Sequence, residues 1–169
     1  MEERSQKLIE ECRRLEESCL STSTTLFEWV KSLRFWKWIF VLTPLILGGI
    51  ANWSLLTQED EYKWVTSICA LLAGLALAIY KALDLDVNLN LIGTRANETK
   101  ILQDRFRQAW RVTALGPFED FKKEFDGLMA RLDAARSSSP VAPERFFEKA
   151  KKKIQAGHYS FAVDSKPAE

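Results

Sequence analysis

Two long apolar runs stand out in the pattern of hydrophobic and polar positions. Residues 38–56 carry no ionised side chain, and residues 64–83 carry a single one, Lys81. A helix needs about 20 residues to cross the ~30 Å hydrocarbon core of a bilayer, and both runs are of that length. Tryptophan and other aromatic residues cluster at their ends, as they do at membrane–water interfaces. The pattern predicts two transmembrane helices, over residues 35–56 and 64–83.

A short connection links the two predicted spans. Only seven residues, 57–63, join them, so the spans must form an antiparallel hairpin. This external loop is acidic and has one basic residue, whereas three basic residues flank the hairpin at each of its other ends. These are Lys31, Arg34 and Lys37 before the first span, and Lys81, Arg95 and Lys100 after the second. Because basic residues stay on the cytosolic side of a membrane, both termini are predicted to be cytosolic.

A heptad pattern precedes the first span. Apolar residues recur there at alternating intervals of four and three, which is typical of a helix that packs along one face. They are Leu8, Cys12, Leu15, Cys19, Thr22, Leu26, Trp29, Leu33 and Trp36. Residues 3–56 are therefore predicted to form one nearly continuous helix. Its weakest stretch is expected at residues 21–25, where serine and threonine hydroxyls compete for backbone hydrogen bonds.

A similar stripe follows the second span and ends at Leu115-Gly116-Pro117. Its members are Leu85, Leu89, Ile92, Ala96, Thr99, Leu102, Phe106, Trp110 and Thr113. A second amphipathic helix comes next and can fold back on the first. The two helical arms leave the predicted hairpin on the same side, so their apolar stripes should meet.

These patterns together define an all-α membrane protein, a two-helix transmembrane hairpin with a long cytosolic helical stalk. Beyond the spans and their loop, the predicted segments are a cytosolic N-terminal helix (1–34), a cytosolic helical hairpin (84–136), a linker (137–143), and a short helix with a tail (144–169).

Small residues in the spans indicate where helices could pack closely. Ala70, Gly74 and Ala78 of the second span lie four residues apart, which lets another helix approach. Gly48 and Gly49 are the counterparts in the first span. Packing within the hairpin and packing between subunits both explain this stripe.

Three polar side chains inside the spans are candidates for lining a pore: Thr43, Asn52 and Ser67. Two helices cannot enclose a conduit, but a ring of several hairpins could. The alternative is that these side chains form interhelical hydrogen bonds within a dimer.

The net charge and the motifs of the chain argue against several classes of function. The net charge is +1, and no part of the chain has the excess of basic residues that neutralising a nucleic-acid backbone requires, so direct nucleic-acid binding is not expected. No nucleotide-binding glycine loop or nucleophile motif occurs, and His158 is the only histidine. Cys12, Cys19 and Cys69 lack the spacing of a zinc site. We therefore expect no enzymatic activity, no metal and no cofactor.

A cluster of lysines near the C-terminus has two interpretations. Lys149, Lys151, Lys152 and Lys153 could contact lipid headgroups or a partner protein. More often, such a cluster consists of cations that favour the last turn of a helix, where the helix dipole is negative.

The order of these segments resembles the SLATT family of two-helix membrane effectors. The resemblance covers residues 3–136 and includes Trp36-Lys37-Trp38 before the first span, Ala70-x-x-x-Gly74 in the second, Thr94-Arg-Ala-Asn-Glu-Thr-Lys100, and Arg105-Phe-Arg-Gln-Ala-Trp-Arg111. It implies a homo-oligomeric, pore-forming or membrane-disrupting protein of the bacterial inner membrane, used in antiphage defence. It also implies a companion nucleotide-signalling enzyme or reverse-transcriptase-type protein that controls the effector. A membrane-anchored adaptor that recruits a partner without conducting is the alternative.

The predicted topology has a direct test. Reporter fusions that distinguish cytosol from periplasm are placed after Glu169 and, separately, within residues 57–63. We expect a cytosolic signal from the first fusion and a periplasmic signal from the second, because the basic residues flank the hairpin on the side opposite to the loop. A periplasmic signal from the C-terminal fusion would contradict the topology.

Overall fold

The computed structural model describes residues 2–56 and 63–159, a part of the chain that is helical and contains no β-strand. The predicted loop lies outside these residues except for Lys63, and the tail from residue 160 onward lies outside them too. Five α-helices follow one another: α1 (Glu2–Leu56), α2 (Lys63–Ala82), α3 (Leu85–Arg111), α4 (Phe118–Ser137) and α5 (Glu144–Gln155). A short 3-10 turn, Thr113–Leu115, connects α3 to α4.

The chain divides into two compact units. The hairpin unit is Val30–Leu91, and the bundle unit combines Met1–Trp29 with Ile92–Glu169. The helix that begins at Glu2 and the helical stretch that begins at Trp64 are each long and apolar enough to cross a membrane.

The hairpin unit contains the two predicted spans. An ion pair of 2.6 Å joins Lys37, at the start of the first span, to Asp86, just after the second. Only six residues separate residue 56, at the end of the first predicted span, from residue 63, before the second. Because the ion pair joins the start of the first span to the end of the second, the two spans run antiparallel.

A turn separates α2 from α3 at the end of the second span. Asp84 has a positive φ of 42°, a left-handed conformation that aspartate tolerates better than most residues. The side-chain amide of Asn88 donates to the carbonyl of Leu83 at 2.9 Å and satisfies an acceptor that the broken helix leaves free. The second helical arm therefore begins as a separate helix at Leu85.

The core of the bundle unit is built by α1, α3 and α4, so the two predicted stripes meet. Its buried residues are Cys12, Leu15, Cys19, Leu102, Phe106, Ala109, Phe121, Leu128, Leu132 and Ala135. At the edge of this core, the indole of Trp110 donates to the carboxylate of Glu16 at 2.7 Å. The guanidinium of Arg13 lies over the same ring, 4.4 Å from its centroid.

The buried face of α1 departs from the predicted heptad after Cys19. Thr22 is exposed, and Ser23 is buried in its place at 1% exposure. Two pairs of buried positions now lie eleven residues apart, Cys12 with Ser23 and Cys19 with Val30. An interval of eleven corresponds to about 3.67 residues per turn, close to the 3.6 of a straight helix, whereas a strict heptad imposes a left-handed supercoil.

The serine- and threonine-rich stretch of α1 does not interrupt the helix. Thr22 donates its hydroxyl hydrogen to the carbonyl of Ser18 at 2.9 Å, and Thr25 donates to that of Ser21 at 2.8 Å. These bonds go to carbonyls one turn earlier in the same helix. The hydroxyl of Ser23 likewise donates to the carbonyl of Leu20 at 3.1 Å. These hydroxyls are thereby satisfied without water, which allows Ser23 and Thr25 to be buried.

Candidate functional site

The surface of the hairpin unit is predominantly apolar side chains that project away from the protein. Leu45 is 73% exposed and Leu71 is 72% exposed, which is unusual for leucine. The other large apolar residues that are exposed in these two helices are Phe35, Trp36, Trp38, Val41, Leu42, Ile46, Ile50, Trp64, Ile68, Leu72, Leu75, Leu77 and Ile79. A contiguous apolar surface of this kind marks a membrane or protein interface.

The small-residue stripe of the second span lies on this open surface. The face of α2 that is buried in the hairpin unit contains Cys69 and Ala76, each 7% exposed. Ala70, Gly74 and Ala78 are all exposed. A Cβ atom added to Gly74 would meet no other atom within 4 Å. The stripe is therefore not used for packing within the hairpin of a single chain.

The glycines of the first span are equally open. Gly48 and Gly49 are exposed, and a Cβ atom added to either would have nothing within 4 Å. The counterparts that the sequence analysis named are thus available for close approach by another helix, as the stripe on α2 is.

The three candidate pore-lining residues differ in how exposed their side chains are. The hydroxyl of Thr43 is half-buried and donates to the carbonyl of Ile39 at 2.7 Å, so its hydrogen is engaged within α1. Asn52 and Ser67 are exposed. Among the three, these two lie on the outer surface of the predicted spans.

A polar cluster lies where the two spans begin and end. Asp86 accepts hydrogen bonds from the ammonium of Lys37 and from the hydroxyl of Tyr80. The bond from Lys37, and then the bond from Tyr80, lower the pKa of the Asp86 carboxyl below its ordinary value. Asp86 therefore stays ionised at neutral pH. Sequence reasoning missed this cluster because Lys37 and Asp86 are far apart along the chain.

In the bundle unit, α5 docks on α1. Phe146 is 1% exposed, and its ring stacks on that of Trp29 with centroids 6.3 Å apart. Lys153 forms an ion pair of 2.6 Å with Glu28, whose side chain is only 10% exposed. The docked helix thus contributes an aromatic contact and neutralises a mostly buried carboxylate.

The docking of α5 gives the four lysines of the C-terminal cluster different surroundings. Lys153 is used for the contact with Glu28, whereas Lys149, Lys151 and Lys152 are exposed. The ammonium of Lys149 lies 5.8 Å from the centroid of the Phe146 ring, and the Arg145 guanidinium lies at 4.7 Å. Arg145 was not among the candidate residues, although it lies on the same helix.

An open groove of about 360 Å³ separates α1 from the linker and the start of α5. Ser21, Thr22 and Thr25 line it with hydroxyl groups, and Leu26 and Phe147 line it with apolar surface. Glu144 is the one ionisable side chain in the lining of the groove. The lining therefore contains neither a pair of carboxylates nor a histidine, which are the usual groups for general acid–base catalysis.

The cysteines are structural. Burial raises the pKa of the Cys12 thiol to about 12 and that of Cys19 to about 11, so both are protonated and unreactive at neutral pH. Within residues 2–56 and 63–159, no group of three histidine, cysteine or acidic side chains could hold a metal ion.

No family model, curated protein or solved structure matches this chain.

The docking of α5 can be tested with a pair of neighbouring phenylalanines. Phe146→Ala removes the buried ring, at a cost of about 3–5 kcal/mol, and should release α5 from α1. Trypsin cleavage between residues 149 and 153 should then accelerate by on the order of 100-fold, as followed by mass spectrometry. Phe147→Ala is the control, because the Phe147 side chain is 47% exposed. Equal cleavage of the two variants would disprove the docking.

Proposed function

We propose that the chain is an oligomeric membrane effector that permeabilises the bacterial inner membrane. In this proposal the two apolar helices span the bilayer as a hairpin with both termini in the cytosol. Several copies associate through their spans, and the assembly causes growth arrest or abortive infection in antiphage defence.

The single observation that carries the proposal is the open stripe on α2. Ala70, Gly74 and Ala78 are exposed while Cys69 and Ala76 of the same helix are buried in the hairpin. Close backbone approach at small residues supplies much of the packing energy between helices in membranes. A stripe that is free in one chain is suited to contact with another, so it favours association between copies over packing within one.

Polar groups on the same apolar surface fit a conducting assembly. Asn52 and Ser67 are exposed although they lie within the predicted spans. Polar side chains inside a membrane usually face a partner helix or a water-filled cavity. In a ring of hairpins these residues would lie at helix contacts or along the conduit.

The control of the effector rests on the resemblance to the SLATT family. Effectors of that family are held silent until a companion sensor or synthase signals infection. We infer such control here, with a nucleotide-signalling enzyme or a reverse-transcriptase-type protein as the class of companion.

A membrane-anchored adaptor is the second candidate function. The bundle unit favours it, because α1, α3 and α4 form a helical core of their own and an open groove lies beside α1 and the start of α5. Such a unit could recruit a partner while the spans only anchor it. An adaptor would not change the permeability of the membrane.

Induced expression separates the two functions. We expect loss of membrane potential, measured with a voltage-sensitive dye, followed by growth arrest, because the effector is expressed without its companion. Alkaline extraction shows in parallel that the protein is integral to the membrane. Normal potential and growth, with the protein inserted and no silencing partner present, would favour the adaptor.

The assembly face can be tested at its central residue. Gly74→Leu adds apolar volume, so insertion into the bilayer should be preserved. It should push apart a helix seated on the stripe, and overpacking at such contacts costs about 1–3 kcal/mol at each copy. Crosslinking in native membranes should report loss of the oligomer, and dye uptake should report loss of leakage.

The matched control for Gly74→Leu is Leu77→Val. Leu77 is exposed on the same helix and flanks the stripe, three residues from Gly74, and its change to valine slightly reduces the volume and so cannot push a neighbouring helix away. This variant should assemble and leak like the unmodified chain. Normal oligomers and leakage in Gly74→Leu would mean that the stripe is not the assembly face.

A further inference from the structure

A second, smaller cavity adjoins the open groove in the bundle unit. It has a volume of about 100 Å³ and lies between α1, α3 and α4. Thr22 and Ser139 line both cavities, so the two are neighbours. On α1 the lining extends from Ser18 in the small cavity to Leu26 in the groove, which is about 12 Å along the helix axis. The two cavities together can hold one small molecule whose two ends differ in chemistry.

The small cavity has a cationic side chain without an anionic partner. The guanidinium of Arg136 belongs to its lining and donates to the hydroxyl of Ser18 at 3.4 Å, which is long for a hydrogen bond. Among the residues that the structure describes, no carboxylate forms an ion pair with Arg136, and the lining of this cavity includes no acidic residue. Because arginine presents its donors in a planar fork, it pairs well with the oxygens of a phosphate group.

The C-terminal end of α4 forms part of the same cavity. The partial negative charge of a helix C-terminus lies on its unpaired carbonyls and would repel an anion. Here serine hydroxyls occupy those carbonyls. Ser137 and Ser138 each donate to the carbonyl of Ala134 at 2.9 Å, and Ser139 donates to that of Ala135 at 2.7 Å. The positive charge of the guanidinium is thereby left for a ligand.

The groove suits a planar and polar molecule better than a hydrocarbon chain. The ring of Phe147 lines it and is 47% exposed, so it offers an aromatic face on which another ring can stack. The hydroxyl oxygens of Ser21 and Thr25 and the carboxylate of Glu144 are hydrogen-bond acceptors in the same lining. A hydrocarbon chain would cover these polar groups without giving them partners, whereas hydroxyl or amino groups on a ligand would satisfy them.

We propose that the two cavities together bind a nucleoside monophosphate. The phosphate pairs with Arg136 and Ser18, the sugar lies between Thr22 and Ser139, and the base stacks on Phe147. This inference goes beyond the proposed function and does not rest on it, because both cavities lie within the bundle unit.

The test is isothermal titration calorimetry of the full chain in detergent with the 5′-monophosphates of adenosine, guanosine, cytidine and uridine. We expect binding of at least one. The matching nucleoside and inorganic phosphate should each bind on the order of 100-fold more weakly, because each reaches only one of the two cavities. Decanoate, which joins a carboxylate to a hydrocarbon chain, should also bind more weakly. Tighter binding of decanoate, or no binding of any of the four monophosphates, would overturn the inference.

Two arginines of α4 supply a matched pair of variants for the phosphate end. Arg136→Gln should weaken binding of the monophosphate by on the order of 10- to 100-fold, since it removes a charge-assisted hydrogen bond. Arg131→Gln changes the net charge identically, but Arg131 is exposed and lines neither cavity, so binding should change little. Equal losses in the two variants would mean a diffuse charge attraction and would overturn the site.

The base end is tested at Phe147. Phe147→Ala should weaken binding of the monophosphate by on the order of 10- to 100-fold, because it removes the stacking face. Inorganic phosphate, which does not reach the groove, should bind as before. Val141→Ala is the control, since Val141 is 93% exposed in the linker and lines neither cavity. Unchanged binding of the monophosphate in Phe147→Ala would overturn the stacking of the base in the groove.

Discussion

Apolar side chains without a protein partner are the constraint on which the hairpin unit depends. Leu45 and Leu71 are almost three-quarters exposed, and most of their apolar neighbours are exposed as well. Contact of this surface with water costs about 25 cal/mol per Å². A bilayer removes that cost, and helices suit it because they satisfy every backbone hydrogen bond internally. The charged cluster of Lys37 and Asp86 lies at the end of the hairpin, where ionised groups can remain hydrated.

The sequence predicts the helices well because each is governed by local periodicity. Helix α1 is continuous over the described residues Glu2–Leu56, and α3 and α4 meet α1 through the predicted stripes. The departure of α1 from the predicted register begins at Thr22, which is exposed while Ser23 is buried, and it arises where α1 gains further neighbours. A heptad describes contact with one partner, and it fails where several elements surround a helix.

The candidate sites were less predictable because they depend on contacts between distant residues. Phe146 and Phe147 are chemically identical neighbours, yet one is buried and the other is half-exposed. Lys152 is exposed, whereas its neighbour Lys153 is partly buried in an ion pair with Glu28. The helical period of α5 divides them into two faces, but only the structure identifies Trp29 and Glu28 as their partners. Likewise, the small residues of α2 did not reveal whether their face is occupied in a single chain.

The contacts of the bundle unit join residues that are far apart in sequence, so the direction of synthesis fixes the order in which they can form. The carboxylate of Glu16 accepts a hydrogen bond from the indole of Trp110. The carboxylate of Glu28 accepts one from Lys153, which lies 125 residues later in the chain. Since a chain leaves the ribosome from its N-terminus, the first part of α1 emerges long before any helix that buries it. Residues 30–91 are synthesised after this part of α1 and before the helices that bury it. The core of the bundle unit therefore closes last, and a chain truncated after the hairpin would have an N-terminal apolar face that no other helix covers.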